Sequence, residues 1–236
     1  MSEPTALAGG RDSAKDDARL ESNAGTHRQG MKGNLIIISS PSGGGKGTLI
    51  KEILTTLPNI GYSISYTTRG KRSGEENGRE YFFVSQTDFE RRIAAGDFLE
   101  YAQVHGNWYG TSRSFVEALI AEGKDVILEI DVQGAGWVRR KMPDAIGIFI
   151  LPPSFEVLRA RLTARATEGM NALALRLRNS FEEVQEFSRF QYVVVNDDIA
   201  AASRRLESII LAERQRADRQ MPLIKDILDS FDKSKL

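Results

Sequence analysis

The chain has 236 residues and a mass of 26.2 kDa, and its 32 basic and 32 acidic side chains cancel to a formal net charge of zero. This balance argues against a bulk polycation that grips nucleic acid through charge, and the lack of cysteine removes disulfides, thiolate catalysis and thiolate zinc sites. Two histidines, His27 and His105, are too few for a histidine-rich metal site, and with no run near the ~18 apolar residues of a membrane span the expectation is a soluble cytoplasmic protein.

Apart from Met1, residues 1–30 hold only Leu7 and Leu20 as large apolar side chains before Met31. That is too little burial to offset the entropy of ordering, so a disordered tail is expected over 1–31, with the folded domain starting near Lys32. Leu35-Ile36-Ile37-Ile38 is a short, wholly apolar run, the pattern of a strand buried on both faces. A glycine-rich turn follows from Ser39 to Thr48, and Leu49 to Leu57 has helical spacing that ends before Pro58. Short strands are expected at Tyr62–Tyr66 and Glu80–Val84, then a helix at Thr87–Ala95 with the capping box Thr87-x-x-Glu90 and a Gly96 stop. Val126–Ile130 is another apolar strand, leading to Asp131, a Gly134 turn and a helix reaching Met142. Ile146–Leu151 stops at Pro152-Pro153, and two helices, 154–166 and 172–187, flank a polar turn. Tyr192–Val195 supplies a fourth core strand before a closing helix at Ile199–Arg214. Buried runs alternating with helices imply an α/β fold whose parallel sheet is covered by helices on both faces.

The turn between the first strand and helix is where chemistry concentrates. Successive backbone N–H groups of Ser42, Gly43, Gly44, Gly45, Lys46, Gly47 and Thr48 can converge on a phosphate, which the helix N-terminus and the Lys46 ammonium then neutralise. The strict pattern G-x-x-x-x-G-K-S/T is missed twice, with Ser40 at the first glycine and Gly47 at the hydroxyl. A second loop, Ser65-Tyr66-Thr67-Thr68-Arg69-x-x-Arg72-x-Gly74-Glu75-x-x-Gly78-x-x-Tyr81, crowds two arginines with several hydroxyls. Arginine forks match phosphate oxygens bidentately, so two anion sites point to two phosphorylated ligands. Alone, this loop would read as a solvated basic segment.

In their order and spacing these stretches resemble the guanylate kinases along residues 34–215. The resemblance is carried by Ser39–Leu49, Ser63–Val84, Phe98-Leu99-Glu100-Tyr101-Ala102, Gly106-Asn107-Trp108-Tyr109-Gly110-Thr111, Ile130-Asp131-Val132-Gln133-Gly134, Phe149–Ser154 and Val195-Asn196-Asp197-Asp198. It implies a P-loop NTPase fold with GMP-binding and lid insertions. Within a domain of 32–236, the core would take about 32–64, 113–160 and 188–236, the GMP-binding segment about 65–112 and the lid about 161–187. The implied activity is transfer of the γ-phosphoryl group of ATP to GMP or dGMP, with Mg2+, in purine nucleotide metabolism. ATP and GMP would be the partners, without nucleic acid or membrane.

By the same resemblance Lys46 and the backbone of 42–48 hold ATP phosphates, Thr48 stands near a largely water-ligated metal, and Asn196 meets the adenine ring. Ser65, Arg69, Arg72 and Tyr81 would hold the GMP phosphate, Glu100, Thr111 and Asp131 would face the base, and Tyr109 completes that site. Arg161, Arg165 and Arg176 would close over the transferring group. The chemistry agrees, since guanine offers N1–H and an exocyclic amine to a carboxylate acceptor, and a site left unpaired by the wrong base can reject it by ~10⁴. The acceptor is already a phosphate oxygen, so no general base is needed in a chain so poor in histidine. The chain departs from the family pattern at Gly47, at the lid turn 166–171 and at Glu129, where aspartate is common. Two alternatives remain beside this reading. The loop alone also resembles adenylate kinase, and a non-catalytic guanylate-kinase-like scaffold module would share the fold.

Overall fold

The computed structural model describes residues 31–104, 106–165 and 170–231, so the expected tail and the lid turn at 166–169 lie outside the described residues. A five-stranded sheet has the order β2-β7-β1-β8-β9, with β1 at Leu35–Ser39, β2 at Ile60–Tyr62, β7 at Asp125–Glu129, β8 at Ile146–Leu151 and β9 at Tyr192–Val195. All four pairings in it are parallel. The apolar run of β1 is buried throughout, and its pleat divides the core in two. Ile36 and Ile38 face α1 (Lys46–Thr56) and α7 (Ile199–Arg214) through Leu49, Ile53, Leu206 and Ile210. Leu35 and Ile37 face α3 (Arg113–Ala121) and α4 (Val132–Lys141) through Val116, Ala135 and Val138. Helices thus cover both faces, as the alternation of runs requires.

Strand order makes the carboxyl end of β1 a natural cleft. The chain leaves β1 toward the β7 side and later crosses from β7 to β8 on the other flank, so connections diverge there. Residues 40–45 occupy that end and lead into α1.

A second, four-stranded sheet has the order β4-β3-β6-β5, built from β3 (Tyr66–Thr67), β4 (Phe82–Phe83), β5 (Phe98–Val104) and β6 (Asn107–Ser112). The expected single strand Tyr62–Tyr66 is therefore two: Tyr62 ends in the first sheet and Tyr66 begins in the second, with 63–65 crossing between them. The β5–β6 hairpin was not expected from the pattern, and its stability comes from rings, with Phe89, Phe98 and Trp108 stacked at 4.4 and 6.0 Å. Helix α2 (Gln86–Ala94) starts one residue earlier than expected. Its cap is Ser85, whose oxygen accepts the Asp88 N–H at 3.1 Å while its hydroxyl donates to the Asp88 carboxylate at 2.6 Å, so Thr87 and Glu90 are not the capping pair. Gly134 makes no turn; it lies in the first turn of α4, capped by Asp131.

Helices α5 (Phe155–Arg165) and α6 (Met170–Gln185) follow β8. A 3₁₀ turn, Glu186–Arg189, joins α6 to β9. A final helix, α8 (Ala217–Ser230), lies beyond the expected closing helix and tolerates Pro222 in its second turn. No helix among the described residues is long and apolar enough to cross a membrane.

Candidate active site

The phosphate loop is held by its own glycines and by what lies under it. Gly43 and Gly45 have φ of 83° and 89°, left-handed values that a side chain would strain. Gly45 is the N-cap of α1, so the first N–H groups of the helix open into the loop without a side-chain cap. Beneath the loop, Asn196 donates its amide to the Gly44 carbonyl at 2.9 Å and is only 2 % exposed. Arg161 donates to the same carbonyl at 3.4 Å and to the Asn196 carbonyl at 3.0 Å. The structure thus puts Asn196 and Arg161 under the loop as braces.

The loop walls a cavity of about 470 Å³ together with Lys51, Glu129, Asp131 and Glu183. Lys46 crosses it to donate to the Ile130 carbonyl at 3.1 Å. Burial lowers the Lys46 pKa, and the charges of Glu129, Asp131 and Glu183 oppose that fall. An ammonium kept in a desolvated site beside glycine-rich backbone is suited to an anion more strongly charged than these carboxylates.

Across the cleft stand the residues of the second loop. Arg69 pairs with Glu75 at 2.7 Å, and its guanidinium lies 5.4 Å from the Tyr81 ring centre. Glu75 also accepts the Arg72 N–H at 2.8 Å, and Tyr81 meets Tyr109 edge to face at 5.8 Å. Arg69, Arg72, Tyr81 and Tyr109 are therefore brought together. The carbonyl of Ser65 binds the Phe82 N–H at 2.9 Å, which joins that loop to β4.

Deeper in the second sheet, Thr111 on β6 donates its hydroxyl to Glu100 on β5 at 2.6 Å. Burial raises the Glu100 pKa; the Thr111 hydrogen bond works against this, and the like charge of Asp131 adds to it. Asp131 reaches the same spot from the first sheet. A Cβ placed on Gly134 would stand 3.4 Å from an Asp131 carboxylate oxygen and 3.5 Å from one of Glu100. Two carboxylates and a hydroxyl gathered around Gly134 form an acceptor set for neighbouring N–H donors.

The family model for guanylate kinase matches residues 32–213. The chain belongs to the guanylate kinase family. It is 50% identical over 199 residues to the guanylate kinase of Symbiobacterium thermophilum, covering 84% of this chain and 94% of that one. The guanylate kinase of Neisseria meningitidis serogroup A is 50% identical, with 84% and 97% covered. The crystal structure of guanylate kinase from Anaplasma phagocytophilum superposes with a TM-score of 0.67 at 34% identity, over 85% of this chain and 96% of that chain. As a guanylate kinase, the chain phosphorylates GMP to GDP with ATP as donor.

Some residues of this guanylate kinase site escape a reading by motif. Glu183 accepts the Ser42 N–H at 2.9 Å, and Ser180 donates to the Ser42 carbonyl at 3.2 Å. The signal for them was present: Arg176, Ser180 and Glu183 fall at i, i+4 and i+7, one polar stripe on an otherwise mixed helix. Tyr62 donates to Glu129 at 3.2 Å, and its burial, then the Glu129 charge, push its pKa up. Arg176 lies exposed on α6, and the Arg165 side chain lies outside what is described.

The donor set can be matched to magnesium. Among the described residues no group of three or more His, Asp or Glu is gathered to hold a metal ion. Thr48 is exposed at the start of α1, and Glu129 Oε1 stands 3.7 Å from where a Cβ on Gly47 would lie. One hydroxyl and one carboxylate fit an ion that keeps most of its waters and takes further oxygens from nucleotide phosphates.

Proposed function

We propose that phosphoryl transfer in this guanylate kinase runs across the cleft between the phosphate loop and the second sheet, with ATP on the loop and GMP, or dGMP, on the Arg69–Glu100 side. The observation that carries this reading is the short run Ile130 to Gly134. Its first carbonyl receives Lys46 at 3.1 Å, and its Gly134 end lies against both Asp131 and Glu100. One turn of chain therefore spaces the phosphate-loop ammonium from the base-reading carboxylates.

Glu100 and Asp131 accept the N1–H and exocyclic amine of guanine, with Thr111 fixing the Glu100 carboxylate. Arg69 and Arg72 take the GMP phosphate once it displaces Glu75 from the Arg69 fork, while Ser65, Tyr81 and Tyr109 close around it. The loop N–H groups from Ser42 to Thr48 receive the ATP phosphates. Lys46 neutralises charge on the transferring group, and Arg165 and Arg176 approach it from the lid. The attacking atom is a GMP phosphate oxygen, so the protein's work is positioning and charge neutralisation. Thr48 and Glu129 would hold magnesium largely through water, and the bound ion would supply further neutralisation of the ATP phosphates. Asn196 and Arg161 act first on the loop they brace. In domain terms, segment 65–112 and lid 161–187 close on the core.

A coupled assay of ADP production with GMP, AMP, dTMP, CMP and UMP tests the base assignment. GMP is expected to exceed AMP in kcat/KM by ~10⁴, the scale on which buried unpaired polar groups reject a substrate. Comparable turnover of AMP overturns it.

A further inference from the structure

The peptide of Ser42 is gripped on both of its polar groups by one helix. Its N–H donates to Glu183 at 2.9 Å and its carbonyl accepts the Ser180 hydroxyl at 3.2 Å. Ser180 and Glu183 lie three residues apart and so share a face of α6. The one Ser180 hydroxyl proton is shared between the Ser42 carbonyl and the Arg176 carbonyl at 2.8 Å, and Ser180 is fully buried. A single hydroxyl thus joins the phosphate loop to the turn of α6 that carries Arg176.

We propose that Ser180 and Glu183 are positioning residues for the transfer: they pin α6 to Ser42 and thereby set the reach of Arg176 over the phosphate loop. This rests on the reading of the cleft given above. The geometry favours an anchor over a charge decoy that occupies the loop in place of phosphate. A decoy needs only the carboxylate on an N–H, whereas here a neutral hydroxyl on the same helix face also holds the carbonyl. An anchor also suits Arg176, which stands one turn before Ser180 on α6. The field of Glu183 serves a second purpose there, as one of three carboxylates that oppose the fall of the Lys46 pKa.

Three single variants and one double variant separate these ideas. Glu183→Ala deletes the acceptor, Glu183→Gln keeps an amide oxygen for the Ser42 N–H without the charge, and Ser180→Ala frees the carbonyl. The anchor predicts that Glu183→Ala lowers kcat by roughly 10- to 100-fold, the scale of small misplacements in a reacting site, with KM for GMP changed less than about 3-fold. Glu183→Gln should recover most of that loss, and the Ser180→Ala/Glu183→Ala pair should be non-additive because both residues hold one peptide. Hydrogen exchange at residues 42–45 of the nucleotide-free protein gives a readout independent of turnover, and it should speed up in both alanine variants. Unchanged kcat and exchange in Glu183→Ala overturn the anchor. Tighter ATP binding in both Glu183 variants, with no loss of kcat, replaces it with the decoy. An unchanged KM for GMP in Arg69→Lys would instead sink the cleft reading, and the exchange result would still judge the anchor.

Discussion

The Thr111 hydroxyl donates to the Glu100 carboxylate at 2.6 Å, within a pocket that raises the Glu100 pKa chiefly by burial. Guanine needs that carboxylate ionised. Acidification should therefore raise KM for GMP at a pH where an ordinary glutamate, with a pKa of about 4.3, is still charged. For stability the sign is opposite. A carboxyl whose folded pKa is raised favours the fold most at low pH, and its contribution declines as pH climbs through the unfolded value toward the folded one. Glu100→Gln should remove the acid limb of the KM profile and reduce kcat/KM for GMP at least ~10-fold, since charge-assisted hydrogen bonds contribute roughly 1.5 to 3 kcal/mol. Activity toward AMP should fall less. An unchanged GMP-to-AMP ratio would leave the base to Asp131 and Thr111.

On the other side of the cleft, Arg69→Lys tests the phosphate fork. Arg69 now holds Glu75 with one nitrogen and the Gly70 carbonyl with another, at 2.7 and 2.8 Å. A lysine brings one point charge and loses the two-nitrogen geometry. KM for GMP should rise much more than KM for ATP. Equal increases for both substrates would mean that the two phosphates do not have separate sites.

Much of the first sheet was legible because its strands are buried on both faces, and an apolar run such as Leu35–Ile38 has few other fates. The second sheet was harder to see. Its β3 and β4 have two residues each, the outer part of β5 is exposed, and the sheet is held by rings from distant positions: Phe89 packs on Phe98 and Trp108. Periodicity does not report such contacts. The Thr87 cap failed for a related reason, since Ser85 and Asp88 offer the same spacing two residues earlier and Ser85 follows directly on the end of the β4 loop. At the site, residue types in motifs were readable, but the partner of each was not. No motif names the Gly44 carbonyl as the partner of Asn196, and Glu183 has no motif, because its contact depends on α6 lying against the loop.

Lys46 offers the most direct test of charge neutralisation. Lys46→Met keeps the length and apolar stem but deletes the ammonium that reaches Ile130. Losing one preorganised electrostatic partner costs roughly 10²- to 10³-fold in kcat, and the variant is expected at or beyond that range with its circular dichroism unchanged. Near-normal turnover would remove Lys46 from the reaction.

Two glycines of the phosphate loop should answer differently to alanine. Gly45 has φ of 89°, and a Cβ there would stand 2.2 Å from the Asn196 amide nitrogen, the group that braces Gly44. Gly45→Ala must therefore strain the backbone and push the brace away, leaving a buried amide whose loss of partner costs about 1–3 kcal/mol. Gly47 lies within the first turn of α1, and its nearest neighbour to a new Cβ is Glu129 Oε1 at 3.7 Å, an ordinary contact. Alanine there fits the helix and gains up to about 1 kcal/mol in propensity. Calorimetry should show Gly45→Ala melting several degrees lower with ATP affinity reduced by at least ~10-fold, while Gly47→Ala melts no lower than wild type and still binds ATP. If Gly47→Ala loses ATP as Gly45→Ala does, the phosphates approach the backbone at residue 47 so closely that no side chain fits. The departure from the family pattern at that position would then be a requirement of this loop.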